Sequence, residues 1–279
     1  MPCQSDFGMI YTIYLVMVAR LLHYPVFLHH HNYGYINNPR LLMKITLLAS
    51  GNAVSHIFLC KSMLSSFSKA YGAPAKSTVI SNAAFVEPDF PPIIPKPHEA
   101  LTVGLLSNLN REKGLYIFLD LLQAAVDQGL QIRAILAGPI GDPEDRKAVE
   151  TARQRLGDRL TYAGPLYGDE KSRFYEEIDV FVFPTIYVNE AQPTVLFEAL
   201  SFGNLLVAYN RGCIASQIHH DGLVIDCNQP FVPLALAWLR EFENSPDRHR
   251  RRIAASRRFL QIHVEEQEKA RSTMSFSTP

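Results

Sequence analysis

The residues with the clearest chemical content are two glutamates, Glu190 and Glu198, which flank Pro193 with seven residues between them. Proline suits the first position of a helix because its missing N–H would be unpaired there anyway, so the sequence predicts a helix over 194–202. Its first N–H groups, those of Thr194 and Val195, then point back toward the loop that carries Glu190. A helix start carries roughly half a positive charge and favours a phosphate or another oxyanion. One carboxylate beside that start and a second on its first turns can accept hydrogen bonds from sugar or ribose hydroxyls. The layout suits a phosphorylated polyol. Glutamate is common on helices, and the same pair taken alone also reads as a helix-start carboxylate and a surface residue.

The elements that would position these groups follow from periodicity. From Ala100 onward, short apolar runs alternate with amphipathic stretches. Strands are expected over 101–106, 132–137, 160–163, 179–183, 205–209 and 223–225, with helices over 115–128, 144–156, 170–178, 194–202 and 232–242. This alternation implies an α/β fold with a parallel sheet covered by helices on both faces. Ligands bind outside the carboxyl ends of such strands.

Residues 1–97 are less regular. Helices are expected over 8–22 (buried), 39–50 and 61–71, strands over 25–29, 57–60 and 77–80, and a polar loop over 30–40. Five prolines and two acidic residues within 87–97 mark a linker. The expected organisation is an amino-terminal domain over 1–97 including that linker, a second domain over 98–244, and a helical tail over 245–279. Residues 272–279 read as frayed.

Lysine plus arginine and aspartate plus glutamate each total 27, so the formal net charge is zero. That balance lacks the basic excess of a nucleic-acid binder, and no nucleic-acid partner is expected. Cys3, Cys60, Cys213 and Cys227 form no metal spacing and read as free thiols of a reducing cytosol. The apolar run 9–22 is interrupted by Arg20 and is shorter than the ~20 residues that a span needs. It also lacks the flanks of a signal peptide. The expected location is therefore cytoplasmic. The basic run 248–258 reads as a solvated helix face, with peripheral contact with a membrane surface as its second reading.

The stretch from Asn189 to Gly203, with its Glu-Ala-Leu-x-x-Gly ending, resembles the E-x7-E motif of the family-4 retaining glycosyltransferases. Four further segments follow the family's order: Ser107-Asn108-Leu109-Asn110-Arg111-Glu112-Lys113-Gly114, Leu136-Ala137-Gly138-Pro139, Tyr162-Ala163-Gly164-Pro165-Leu166 and Asp179-Val180-Phe181-Val182-Phe183-Pro184. Ser77-Thr78-Val79-Ile80-Ser81-Asn82 resembles the segment before the family's linker. The resemblance spans about 57–225 and is specific in combination.

It implies a GT-B-like fold, with a carboxyl-terminal Rossmann-like domain that binds a nucleotide-sugar and a partial amino-terminal Rossmann-like domain on the acceptor side. By resemblance, Glu190 contacts the donor sugar, Glu198 the ribose hydroxyls, and the N–H groups of Thr194 and Val195 the diphosphate or sugar. Lys113 neutralises the diphosphate, and Leu166 and its neighbours line the base. Asn108 stands where the family usually has arginine, so it can donate hydrogen bonds but supplies no charge. The implied reaction transfers a sugar with retention onto a glycan, lipid-linked or other hydroxyl acceptor, with no metal or cofactor. The candidate catalytic residues are Glu190, Lys113 and His31.

His31 enters because a family histidine at the end of such a strand lies near the donor sugar and acceptor, with His29 the next match. Alternation along a strand leaves only His29 and His31 of the His29-His30-His31 run on one face, and a structural histidine remains an equal reading. The family's amino-terminal domain opens with a strand, a Gly-rich turn and two more strand–helix units. This chain starts roughly at the fourth helix, so the acceptor half reads as truncated. A non-catalytic nucleotide-sugar binding remnant therefore stands beside the enzyme as the second reading. A nicotinamide enzyme lacks its G-x-G-x-x-G after a strand.

Overall fold

The computed structural model describes residues 1–87 and 100–274. These fall into two compact units, one drawn from Met1–Phe85, Val188–Gln192 and His263–Pro279, the other from Val86–Tyr187 and Pro193–Ile262. Most of the proline-rich run expected as a linker, residues 88–97, lies outside the described residues.

The larger unit alternates β4 (Leu101–Leu106), α5 (Leu115–Asp127), β5 (Ile132–Ala137), α6 (Pro143–Leu156), β6 (Leu160–Gly164), α7 (Asp169–Glu177) and β7 (Val180–Phe183). It continues with α8 (Thr194–Ser201), β8 (Leu205–Tyr209), α9 (Ile214–Ile218), β9 (Gly222–Ile225) and α10 (Phe231–Glu243). All six strands are parallel, in the order β6-β5-β4-β7-β8-β9. Val180–Phe183 and Leu205–Ala208 are buried throughout, as strands covered on both faces must be. A Cβ on Gly104 would fall 2.7–2.9 Å from Phe174 and Ile178, so its missing side chain lets α7 and the residue after it pack onto β4.

The smaller unit holds a parallel sheet of β1 (Val26–His30), β2 (Val54–Phe58) and β3 (Ser77–Val79), with α1 (Gly8–Leu21), α2 (Gly34–Asn37), α3 (Leu41–Ser50) and α4 (Lys61–Tyr71). The second strand runs earlier than the expected 57–60. It pairs with β1 from Val26↔Val54 to His30↔Phe58, after which Cys60 leaves the sheet to cap α4. The polar loop expected over 30–40 contains α2. The first helix is half-buried instead of buried: Met9, Thr12 and Val16 face inward, while Tyr11, Tyr14 and Leu21 are exposed. No helix among the described residues is long and apolar enough to cross a membrane. Cys3 and Cys227 are free, but Cys60 and Cys213 are not. Spacing along the chain carried no sign of that difference.

The helix α11 (Arg248–Met274) is continuous to Met274, so residues 272–274 are ordered helix, and 275–279 lie outside the described residues. Its basic start is not simply a solvated face. Arg252 is buried and its Nη1 lies 2.7 Å from the buried Asp179 carboxylate. Its Nη2 donates to the Ile178 carbonyl at 3.0 Å and its Nε to the Gly203 carbonyl at 3.2 Å. Arg258 pairs with Asp221 at 2.7 Å. The sequence showed a run of like charges and gave no view of the carboxylates that meet them.

Within the smaller unit, the His30 ring lies between two polar partners, with Nδ1 3.0 Å from the Tyr35 hydroxyl and Nε2 2.9 Å from His56 Nδ1. It also stacks on Phe58. Burial lowers the pKa of both rings, that of His56 to about 4, and the neighbouring His56 lowers His30 further. An unfolded histidine titrates near 6.5, so between about pH 4 and 6.5 the unfolded chain holds more protons than the folded one. Stability is therefore full above pH 6.5 and falls as the pH drops toward 4, by up to about 1.4 kcal/mol per pH unit for each ring. Urea midpoints measured from pH 7.5 down to 5 should decline steadily below 6.5, and His56→Asn should flatten the slope. A level wild-type profile would refute this account.

Candidate functional site

The parallel order reverses beside β4, with β5 and β6 on one side and β7, β8 and β9 on the other. A crevice opens at the carboxyl ends of strands at such a switch point. Here it is a cavity of about 570 Å³ lined by Ser107 and Asn108 after β4, Gly138 and Pro139 after β5, Pro165–Gly168 after β6, Phe183 of β7, and Pro193, Thr194 and Val195 at the start of α8. Gly138 forms its floor with φ +122°, and a Cβ there would lie 1.8 Å from the Ser107 carbonyl oxygen. Only glycine lets these two strand ends approach so closely.

Pro193 is the capping residue of α8, extended at φ −63° and ψ 125°, and not the first helical residue as expected from sequence. It has no side-chain oxygen to offer the orphan N–H groups. The first backbone bond at this end runs from Leu196 to the Pro193 carbonyl at 3.3 Å. Thr194 and Val195 thus present a helix start to the cavity, the arrangement that favours an oxyanion.

Lys113 enters the cavity from the turn before α5. Its N–H donates to Asn110 Oδ1 at 2.8 Å, and Gly114 at φ +84° passes so close to the Pro184 carbonyl that a Cβ would lie 2.2 Å from it. The ammonium lies 4.9 Å from the centre of the Tyr187 ring and 5.9 Å from that of Phe183, within reach of a cation–π attraction. Tyr187 is held there because its N–H and that of Ile186 donate to the Glu112 carbonyl at 3.1 and 2.8 Å.

Glu198 is not itself a lining residue. Its Oε2 accepts the hydroxyl of the buried Tyr175 at 2.7 Å and pairs with Lys171 Nζ at 2.6 Å. Lys171 does line the cavity. Burial and the Glu198 carboxylate push the Tyr175 phenol well above its ordinary pKa, so it stays a donor. Sequence reading missed Lys171, Tyr175 and Tyr187, whose relevance depends on partners 23 to 75 positions away in the chain.

Five of the sequence-derived site residues, Asn108, Lys113, Leu166, Thr194 and Val195, therefore meet around one cavity, and Glu198 is joined to it through Lys171. Glu190 and His31 belong to the smaller unit. Glu190 is buried in a segment pinned at both ends. Asn37 Nδ2 donates to the Val188 carbonyl at 2.9 Å and to Asn189 Oδ1 at 3.1 Å. At the other end, Gln192 Oε1 accepts the Asn82 N–H at 2.7 Å, and Gln192 Nε2 donates to the Leu59 carbonyl at 3.2 Å. His31 is exposed just past β1, edge-on to His29 at 5.8 Å between ring centres. Partial burial lowers its pKa.

The family described as Glycosyl transferases group 1 matches residues 86–258, more than half of the chain. Comparison with curated protein sequences gives no match. Among solved structures, HepE of Anabaena in complex with UDP is similar with a TM-score of 0.76 at 18% identity, over 95% of this chain and 76% of its own. Sucrose-phosphate synthase of Thermosynechococcus elongatus gives 0.65 at 18% identity, covering 92% and 71%. The pneumococcal O-GlcNAc transferase GtfA, solved with UDP and GlcNAc, gives 0.67 at 12% identity, covering 93% and 59%. The fold is that of these GT-B proteins: α/β, built on parallel sheets.

Proposed function

Because the chain belongs to the group 1 glycosyl transferases, we propose that it is a retaining, family-4-type enzyme that moves a sugar from a nucleoside diphosphate onto a hydroxyl of a glycan or lipid-linked acceptor. The observation that carries this reading is the cavity where Lys113 and the uncapped start of α8 occur together. As the sugar leaves, negative charge grows on the diphosphate. A fixed ammonium and oriented N–H groups stabilise that charge in place, the largest usual source of catalytic power. No metal or cofactor takes part in this scheme. The leaving group meets lysine and backbone dipoles.

In this reading Glu198 takes the ribose hydroxyls, Leu166 and its neighbours take the base, and Glu190 and His31 attend the transferred sugar. Residues 98–244 form the donor domain, residues 1–97 belong to the acceptor side, and the reaction is cytoplasmic. That HepE and GtfA were solved with UDP makes UDP the first nucleotide to test.

The test is a thermal-shift titration with UDP, GDP, ADP and UDP-sugars, run beside Glu198→Ala. A ligand at one hundred times its dissociation constant adds about 2.7 kcal/mol of stability. Selective stabilisation by one nucleotide, lost in Glu198→Ala, is the expected result and identifies the base. A folded protein that responds to none of them would instead be a binding remnant that has lost its ligand.

A further inference from the structure

Two charged residues line the donor cavity among the described residues, Lys113 and Lys171, and no carboxylate lines it. Lys113 comes from the turn before α5 and Lys171 from the first turn of α7, so the two reach the cavity from separate elements. Asn108, also on the wall, adds hydrogen-bonding capacity but no charge. A diphosphate with only one cation beside it would keep much of its charge uncompensated within a partly closed cavity, where charges interact more strongly than in bulk water.

We propose that Lys171 is the second phosphate-binding cation of this cavity and that it shares the diphosphate with Lys113. The inference rests on the nucleotide-sugar reading of the site. An ammonium has three N–H donors. At 2.6 Å from Glu198 Oε2, Lys171 commits one of them, leaving two for ligand oxygens. The Tyr175 hydroxyl on the same Oε2 fixes that carboxylate from behind, so the ammonium has a held position before any ligand arrives. The arrangement joins the two ends of one ligand: Glu198 serves the ribose diol, and its tethered lysine serves the phosphates next to it. An ordinary exposed ion pair would contribute little to stability and would have no influence on ligands.

The experiment compares wild type, Lys171→Met and Lys171→Arg. Each is titrated with whichever of UDP, GDP and ADP binds the wild type best, and with the matching nucleoside, at two salt concentrations. Lys171→Met should weaken the diphosphate about tenfold, the scale of one charge-assisted hydrogen bond. It should weaken the nucleoside less than about twofold and make diphosphate binding less sensitive to salt. Lys171→Arg should restore most of the affinity. Unliganded melting temperatures close to that of wild type establish that the variants fold. Equal weakening of nucleotide and nucleoside would overturn the proposal, because Lys171 would then act only by orienting Glu198. Unchanged affinity for both would overturn it as well, with the donor site left intact. A wild type that binds no nucleotide would sink the donor reading itself, and this inference with it.

Discussion

Glu190→Ala is expected to abolish sugar transfer while leaving nucleotide affinity within about twofold of wild type. As the bond from the anomeric carbon to the diphosphate stretches, positive charge gathers on the sugar. A carboxylate assigned to the sugar stabilises that charge only near the transition state, so its loss falls on kcat and not on donor binding. Removing one such group typically costs about 10²–10³ in rate, and a buried, pinned carboxylate belongs at the upper end. Asn37 and Gln192 fix the segment on either side of Glu190, so alanine should remove the charge without releasing the backbone. Glu190→Gln should be nearly as inactive, since the amide keeps the shape but not the charge. The measurement is nucleotide release from the donor selected by thermal shift, offered a panel of glycan and lipid-linked acceptors. Near-normal turnover by the alanine variant would remove Glu190 from the chemistry. If wild type binds the nucleotide but never transfers, the protein is a sugar-nucleotide binder and the catalytic reading fails.

Which parts of this molecule the sequence disclosed follows from how local each signal is. The strands Leu101–Leu106, Ile132–Ala137 and Leu205–Tyr209 and the helix Lys61–Tyr71 have the expected ends, because they stop at Ser107, Gly138, Asn210 and Gly72, residue types that favour turns. Where pairing decides the ends, the reading slipped. Val54 and Ser55 belong to β2 because β1 continues beside them, and nothing within the segment itself says so. The same division runs through the site. Thr194 and Val195 were legible from the proline that opens α8, and Asn108, Lys113 and Leu166 through the family resemblance, and all five converge on one cavity. The grip on Glu198 was not legible, since Lys171 and Tyr175 reach it from a different helix. Nor was the clamp on the Glu190 segment, whose partners Asn37 and Asn82 lie more than a hundred residues earlier. The basic run of α11 misled for the same reason: the partner that buries Arg252, Asp179, is 73 positions away.

Arg252→Met should cost about 3–5 kcal/mol, the usual penalty for leaving a buried partner charge uncompensated. Both side chains of the Arg252–Asp179 pair are 2% exposed. Burial lowers the arginine pKa and Asp179 opposes that shift, so the carboxylate offsets part of the cost of burying the guanidinium charge. The bonds of Arg252 tie α11 to the residues just before β7 and to the turn after α8. Asp179 in turn accepts the Thr102 N–H at the start of β4 at 3.0 Å and has Arg248 at 3.4 Å. Arg248 is more exposed and farther away, so it can replace only part of the lost charge. For a unit of this size, the loss corresponds to a melting temperature lower by about 6–20 °C. The double variant Asp179→Asn, Arg252→Met should recover part of the deficit, because the penalty lies in the stranded charge more than in the missing bonds. A single variant that melts within about 2 °C of wild type would sink the claim, as would a double variant as unstable as the two single losses summed. The anchor lies at the amino ends of β4 and β7, whereas the cavity lies at their carboxyl ends. Nucleotide affinity of the folded fraction should therefore stay unchanged, separating the arginine that holds the sheet together from the lysines proposed to bind the diphosphate.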